Sequence, residues 1–484
     1  MRGTKSLPES HCCGVELSCT LTRPVVRRPI FLSSYAISDL HVLEDLCHGV
    51  YATSGPSAGQ IASTHGVLLF VLKEYVAMND DLCQRFDLNA HLIQCEQIFV
   101  SALEHYEVLV VPSFANILAL TMGMIKAQGE AKPSLYWTLA CAAATQCQSL
   151  GYHREASYRN IPSGKADSIR RLFWTVYCFD KNMSLLLGRV SNLHGLAIDT
   201  RHPATATDRA LRPWDESFIM GIRLAELQDQ VLTGLYSPGA ASKGPLERAR
   251  LIRDLTAAME EWRVAFTQAV NNPQVFHLSR GNWDIAYYST LTLLHHASSA
   301  TETGLFVSSP CVHAARKSLQ AHLQCFPQYQ DSRLLSDGEY INWILLYSSF
   351  TPFLVTFLHA IAAKDPESVA LLVRVVGTLE NLRSSSSQQT SGAERLYQIC
   401  ATFAQLGQKL VESSAFPPRG MDDPSEGPSQ LAGEDAATAD DGAGFGFPAE
   451  TFSEVFGNVD FDPAGELLNE WMGGQPFLGN WVDF

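Results

Sequence analysis

Within the stretch SLGYHREASYRNIPSGKADSIRRLFWTVYCFDKNMSLLLGRVSNLHGLAIDTRHP, Ser149 to Pro203, the residues Ile169, Leu172, Val176, Phe179, Met183 and Leu186 recur at spacings of three and four. That spacing puts them on one face of a helix, predicted over 166–187. Asp167 lies three and four residues before Arg170 and Arg171, which suits a first-turn carboxylate paired along the helix surface. Phe173, Tyr177, Asp180, Ser184 and Leu187 form a neighbouring face that is aromatic but holds a carboxylate. A buried Asp180 needs a partner, because an unpaired charge inside a protein is costly. Arg189, just past the helix, is the expected partner, and reversing both charges together is expected to rescue either single change. The aromatic stripe reads first as core, with a ligand or partner surface as the alternative.

Outward from this helix the same period dominates from about Ile37 to Leu410, and alternating strand patterns are rare. The pattern predicts helices near 37–50, 58–78, 90–110, 113–127, 134–150, 215–235, 245–270, 283–302, 309–325, 338–363, 366–383 and 392–412. Breakers separate them at Gly129 to Pro133, Pro162 to Gly164, Pro238 to Pro245 and Asn271 to Pro273. The serine run Ser384–Ser387, continuing through Gln388 to Gly392, reads as a flexible linker. The expected class is all-α. The expected organisation is a weakly ordered N-terminus over 1–35, a helical body over 36–415, and a disordered acidic tail over 416–484. No internal repeat supports a solenoid.

The chain has 484 residues and a net charge of −15, unevenly distributed. Residues 421–484 hold 14 acidic side chains and no Lys or Arg, while residues 1–420 hold 35 basic and 36 acidic ones. A nearly neutral body is a poor electrostatic match for a DNA backbone, which is bound through clustered cations. No secretory leader pattern is read in the first 20 residues, where Glu9, His11 and Glu16 interrupt any apolar run. The 12 scattered cysteines then read as buried reduced thiols. Three segments lack charge for about the length of a membrane span: Val108–Ile125, Pro133–His153 and Ile341–Ala363. Their prolines, asparagines, glutamines and hydroxyls favour buried helices of a large core instead.

Several pieces of the quoted stretch occur together in a fixed order. They are Leu150-Gly151-Tyr152-His153-Arg154, then Arg170-Arg171-Leu172-Phe173-Trp174, Tyr177, Asp180, Gly188-Arg189, and Ile198-Asp199 with Pro203. In order and spacing they resemble the signature of the middle homology region, the regulatory domain of fungal zinc-cluster transcription factors. Val190 departs from the family, which usually has proline after Gly-Arg. The resemblance covers about a ninth of the chain. It implies a helical regulatory domain in a nuclear transcription regulator, acting on RNA polymerase II genes such as those of a metabolic or secondary-metabolite cluster. It implies no catalysis. The implied signature residues are Gly151, His153, Arg154, Arg170, Arg171, Phe173, Trp174, Tyr177, Asp180, Gly188, Arg189, Asp199 and Pro203.

That family reads DNA through six cysteines holding two zinc ions, with a Cys-x2-Cys step in each half. No Cys-x2-Cys occurs in this sequence, and the cluster Cys12, Cys13 and Cys19 lacks the spacing and number of ligands a tetrahedral site needs. No cofactor is therefore expected from these residues. A lost upstream exon, a DNA-binding partner, and outright loss of the DNA reader each explain the pattern. Arg23, Arg27 and Arg28 are too small a basic group to call a DNA-binding arm.

After Pro417-Pro418 the composition changes. Residues 421–444 are nearly devoid of large apolar groups, and then aromatics appear among acids: Phe445, Phe447, Phe452, Phe456, Phe461, Trp471, Phe477, Trp481 and Phe484. Such alternation is the composition of a disordered activation segment. Carboxylates keep the aromatics solvated until they dock in an apolar groove of a coactivator, where short helices form. Glu450–Phe456 and Ala464–Met472, the latter with Leu467, Leu468 and Trp471, are the expected docking helices. The expected partners are coactivators through this tail, DNA only through a zinc cluster or partner subunit, and a second copy of the chain as one arrangement. No membrane partner is expected. The alternative is a helical interaction or small-molecule-binding protein that binds no DNA directly.

Enzymatic patterns are weak. Gly55-Pro56-Ser57-Ala58-Gly59 fits Gly-x-Ser-x-Gly, but a nucleophile elbow needs a strand before it, and only His48 to Ser54 offers one. His153 and the pair His295-His296 have no carboxylates or thiols at ligand spacing. Asn182-Met183-Ser184 fits a glycosylation sequon but sits inside the predicted helix.

Overall fold

The structure is a computed structural model that describes residues 29–34, 40–52, 55–130, 132–194, 197–269, 273–297, 307–332, 337–340, 350–385 and 391–413. The fold is all-α, and no strand forms among these residues. Helices are linked by short connections, so sequence neighbours pack as pairs. Ala58–Ala77 packs on Leu88–Leu103 and Phe114–Gly129, and Phe114–Gly129 packs on Pro133–Ser149. Ser163–Leu187 lies against both Pro133–Ser149 and Arg212–Val231. Further along, Pro273–His296 pairs with Ser309–Ser332, which in turn meets Phe350–Ala363 and Pro366–Ser385. One hydrophobic cluster runs through all of them, from Leu32 to Ala404.

Local chemistry sets the helix starts. Ser57 accepts from the Gln60 N–H at 3.2 Å while the Gln60 side chain accepts from the Ser57 N–H at 2.9 Å, a reciprocal capping box. Asp87 and Ser113 cap the next two long helices through Ala90 and Asn116. Pro133, Pro245, Pro273 and Pro366 are first residues of helices, where the missing N–H costs nothing. This accounts for the main departure from the sequence reading. Pro273 opens a helix that was predicted to begin ten residues later, and the apolar period alone does not mark that start. The segment predicted as one helix over 90–110 divides at Glu104, which caps Leu88–Leu103, and a short helix Tyr106–Val110 follows. Arg212–Val231 passes into a π-turn at Leu232–Tyr236. The predicted 338–363 corresponds to Asp337–Tyr340 and Phe350–Ala363, with 341–349 outside the described residues. The helix Ser309–Ser332 continues through Pro327, seven residues past its expected end near 325.

Part of the segment read as weakly ordered is folded. Ile30–Ser34 is a helix whose Leu32 is fully buried and whose Phe31 ring stacks on Phe70 at 4.9 Å. The buried Glu74 carboxylate accepts from the Ile30 and Phe31 N–H groups, each at 2.9 Å, and so satisfies the open helix start. Residues 1–28, the linker core at 386–390 and the tail from 414 onward lie outside the described residues. The tail positions named above, Phe445 through Phe484, therefore fall outside them as well. Among the described residues no helix is long and apolar enough to cross a membrane.

The close helix crossing at the N-terminal end explains the Gly-x-Ser-x-Gly match. A Cβ on Gly59 would come within 1.6 Å of Asn116 Oδ1, and Asn116 Nδ2 donates to the carbonyls of Glu107 and Val111. Ser57 is a helix cap, and His48 to Tyr51 belong to the helix Leu40–Tyr51, so no strand precedes it. Ser57→Ala is expected to lower stability by about 1 kcal/mol, the usual value of such a cap, measured by urea unfolding.

Candidate functional site

The helix Ser163–Leu187 is the frame of the signature. It begins three residues earlier than its apolar stripe implies, directly after Pro162, whose fixed φ suits a helix entrance. It ends at Gly188, which adopts φ 62° as a left-handed cap and donates its N–H to the Ser184 carbonyl. The chain then turns back, and residues 189–194 and 197–206 return along the helix.

Polar side chains on the helix hold that return. Asp180 is fully buried and accepts from Ser191 Oγ at 2.5 Å, from Asn192 N and Nδ2 at 3.0 Å each, and from Leu193 N at 3.3 Å. Lys181 is also fully buried. It donates to Ser191 Oγ at 2.7 Å, to the Leu193 carbonyl and to Asp229 Oδ1 at 2.7 Å. Asp180 and Lys181 therefore grip the same three-residue turn from two sides. This corrects the expected Asp180–Arg189 pair. Asp180 is satisfied by the returning chain, and the Arg189 guanidinium lies over the Trp137 ring, 5.7 Å from its centroid.

A second clamp lies nearer the start of the helix. Arg171 donates to Asp167 at 2.6 Å, to Asp215 at 2.7 Å and to the Ala204 carbonyl at 2.8 Å. Asp167 and Asp215 in turn accept from the N–H groups of Ala204 and Ala206. The predicted i,i+4 pair is present, but it is one third of a buried network that joins the helix Arg212–Val231. Between the clamps, Trp174 Nε1 donates to the Arg201 carbonyl at 2.9 Å, and its ring meets Phe173, Tyr177 and His202 edge-on. Phe173, Trp174, Tyr177 and Pro203 are all buried.

The N-terminal pieces of the signature complete the clamp. Gly151 has φ 71°, and a Cβ there would come within 2.5 Å of Ser157 Oγ. The His153 carbonyl accepts from the Asp199 and Thr200 N–H groups. Asp199 Oδ1 accepts from the Glu155 N–H at 2.8 Å. Arg170 pairs with Glu155 at 2.7 Å, rather than with Asp167, and its guanidinium stacks over Tyr158 at 4.2 Å. Partial burial opposes the charge on Glu155, but the Arg201 N–H and the Arg170 and Arg201 guanidiniums outweigh it and hold the carboxyl below its ordinary range. Arg154 is exposed, and its Nε donates to the His153 ring at 3.3 Å. The sequence reading missed Glu155, Ser191, Asn192 and Asp215. Their roles depend on contacts 11 to 44 residues away along the chain, which periodicity does not report.

These residues bring together no nucleophile, base and oxyanion donor. Among the described residues no group of three His, Cys, Asp or Glu could hold a metal ion. Cys12, Cys13 and Cys19 lie outside the described residues. Among the described residues, then, no donor set fits the family's zinc pair. Cys147, Cys178, Cys311 and Cys400 are thiols that burial pushes well above their ordinary range, which makes them inert side chains of the core. Burial, with a smaller contribution from Arg248, pushes His296 down to about 4.

Residues 21–209 match the fungal specific transcription factor domain. An uncharacterized transcriptional regulatory protein of Schizosaccharomyces pombe is 26% identical over 56% of this chain and 45% of its own length. An ABC-transporter-regulating transcription factor of Aspergillus oryzae is 20% identical over 59% of this chain and 35% of its own. The aurofusarin cluster transcription factor of Gibberella zeae is 25% identical over 37% of this chain and 28% of its own. The chain thus spans less than half the length of these relatives. The family and its members are transcription regulators, not enzymes. No solved structure matches the chain.

Proposed function

We propose that this chain is a nuclear regulator of RNA polymerase II transcription, in which the helical body controls how far the acidic C-terminal segment is exposed to coactivators. The observation that carries the reading is the segment 421–484, with 14 acidic residues, no Lys or Arg, and nine large aromatics. Carboxylates alone would suffice to keep a tail soluble. Interleaved aromatics instead supply docking groups for an apolar groove. DNA contact comes from a zinc cluster outside residues 1–484 or from a partner subunit. A metabolic or secondary-metabolite gene cluster is the proposed target class, by analogy with the cluster factor among the relatives.

Fused to an unrelated DNA-binding domain, residues 421–484 are expected to activate a reporter in fungal cells. Replacing the nine aromatics by alanine, with every charge kept, is expected to abolish that activation. A fusion that is expressed but inert overturns the activator reading and favours a helical interaction protein without transcriptional output.

A further inference from the structure

Asp337–Tyr340 is a helix of only four residues. So short a helix does not form by itself, because nucleation costs more than its few internal bonds regain. Its order must come from anchors outside it. Two adjacent side chains supply them, and they reach different groups of helices.

Glu339 reaches the N-terminal helices. Its carboxylate accepts from Lys73 Nζ at 3.0 Å, and its Cγ lies so close to Gly129 that an added Cβ there would come within 3.2 Å of it. Tyr340 reaches the C-terminal helices and is fully buried. Its ring stacks on Tyr329 at 4.0 Å and meets Phe326 and His322 at 5.7 and 5.8 Å. Its hydroxyl bonds with His322 Nδ1 at 3.2 Å, and His322 Nε2 bonds with Thr378 Oγ1 at 3.0 Å. One peptide unit therefore joins Ala58–Ala77 and Phe114–Gly129, within the residues that match the family domain, to Ser309–Ser332 and Pro366–Ser385 beyond them.

Tyr340 also covers a thiol. Cys325 is 8% exposed and hydrogen-bonds with Tyr340. Its Sγ lies against Gly281 as well, within 2.5 Å of where a Cβ would stand. With Tyr340 withdrawn, this sulfur would face the space that the ring had filled. Adjacent anchors assist each other, because seating Glu339 removes much of the freedom that Tyr340 loses on docking, and the reverse.

We propose that Asp337–Tyr340 is a latch that docks and releases as one unit, so that the Lys73–Glu339 pair on the N-terminal helices governs access to the Tyr340 pocket and Cys325 in the C-terminal ones. The alternative is a surface ion pair and a core tyrosine that do not feel each other. The proposal goes beyond the transcriptional reading and holds whether or not the acidic segment activates.

The full-length chain is alkylated with iodoacetamide under native conditions, and labelling of each cysteine is followed by mass spectrometry. Cys147, Cys311 and Cys400 are buried thiols outside the latch and report opening of the whole fold. Lys73→Met and, separately, Glu339→Lys are expected to speed labelling of Cys325 by about two- to fivefold, the worth of a partly exposed ion pair, while the three control thiols keep the parent's rate. The exchange Lys73→Glu with Glu339→Lys is expected to bring Cys325 back near the parent's rate. Cys325 labelled no faster in either single variant overturns the latch, since the pair and the pocket are then independent. Equal acceleration at all four cysteines overturns it too, because the whole fold then opens and not this element.

Discussion

Asp180→Ala is expected to cost about 3–5 kcal/mol of folding stability, the range for removing one member of a buried charged network. Four donors converge on this carboxylate: the Ser191 hydroxyl, two N–H groups of Asn192, and the Leu193 backbone. Alanine leaves all four facing a void, and each buried unsatisfied donor carries its own desolvation cost. Asp180→Asn should fare little better, because an amide turns one acceptor oxygen into a donor that faces other donors. Lys181 loses support as well, since Ser191 Oγ accepts from its ammonium while donating to Asp180. The double variant Asp180→Arg with Arg189→Asp is expected to remain as unstable as Asp180→Arg alone. Arg189 stacks on Trp137 and takes no part in the network. Urea unfolding of the four proteins checks this. Recovery of most of the lost stability in the double variant would sink the assignment of partners.

That result bears on what the sequence could and could not disclose. The need of Asp180 for a partner was legible, because a carboxylate on an aromatic helical face has few alternatives. The partner's identity was not. The residue beyond Gly188 that looked available was Arg189, but the left-handed cap turns the chain so that Ser191, Asn192 and Leu193 meet the carboxylate instead. Asp167 shows the same limit. Its spacing to Arg171 gave the helical pair, but nothing in the period marks Asp215, which arrives from another helix to complete the buried triad. Helix existence came through well because the apolar stripes are long. Helix ends came through less well where proline opened the element, as at Pro273, since the same residue reads as a stop from one side and a start from the other.

The signature becomes intelligible as a set of fasteners for one connection. Asp167, Arg171, Trp174, Asp180 and Lys181 are spaced along a single helix: the last two hold residues 191–193, Trp174 holds Arg201, and Asp167 and Arg171 hold Ala204. A long connection tied at four or five points loses much of its freedom, and that ordering must be offset by the bonds made. Buried charge is an expensive fastener compared with apolar packing, but it is directional. It fixes the position of the returning chain.

Acidification is expected to destabilise the protein well before its carboxylates protonate. His322 is fully buried between Tyr340 OH and Thr378 Oγ1, and burial pushes it down to about 3. His296 is pushed down to about 4. The ordinary value is 6.5. Below about pH 6.5 the unfolded chain binds protons at these two positions and the folded chain does not, so stability falls as pH falls. Each group contributes a slope approaching about 1.4 kcal/mol per pH unit until its folded value is reached. His65 and His295, also lowered by burial, act in the same direction. The urea midpoint should therefore drop steeply between about pH 6.5 and 4. Glu155 and Asp365, held below their ordinary range, extend the loss at more acid pH, where the unfolded chain protonates first. In His322→Gln, which keeps hydrogen-bonding groups toward Tyr340 and Thr378, the slope near pH 5 should shrink by about one proton. A midpoint that stays level from pH 7 to pH 5 would mean that these imidazoles take up protons in the folded state, and that the buried setting of His322 is wrong.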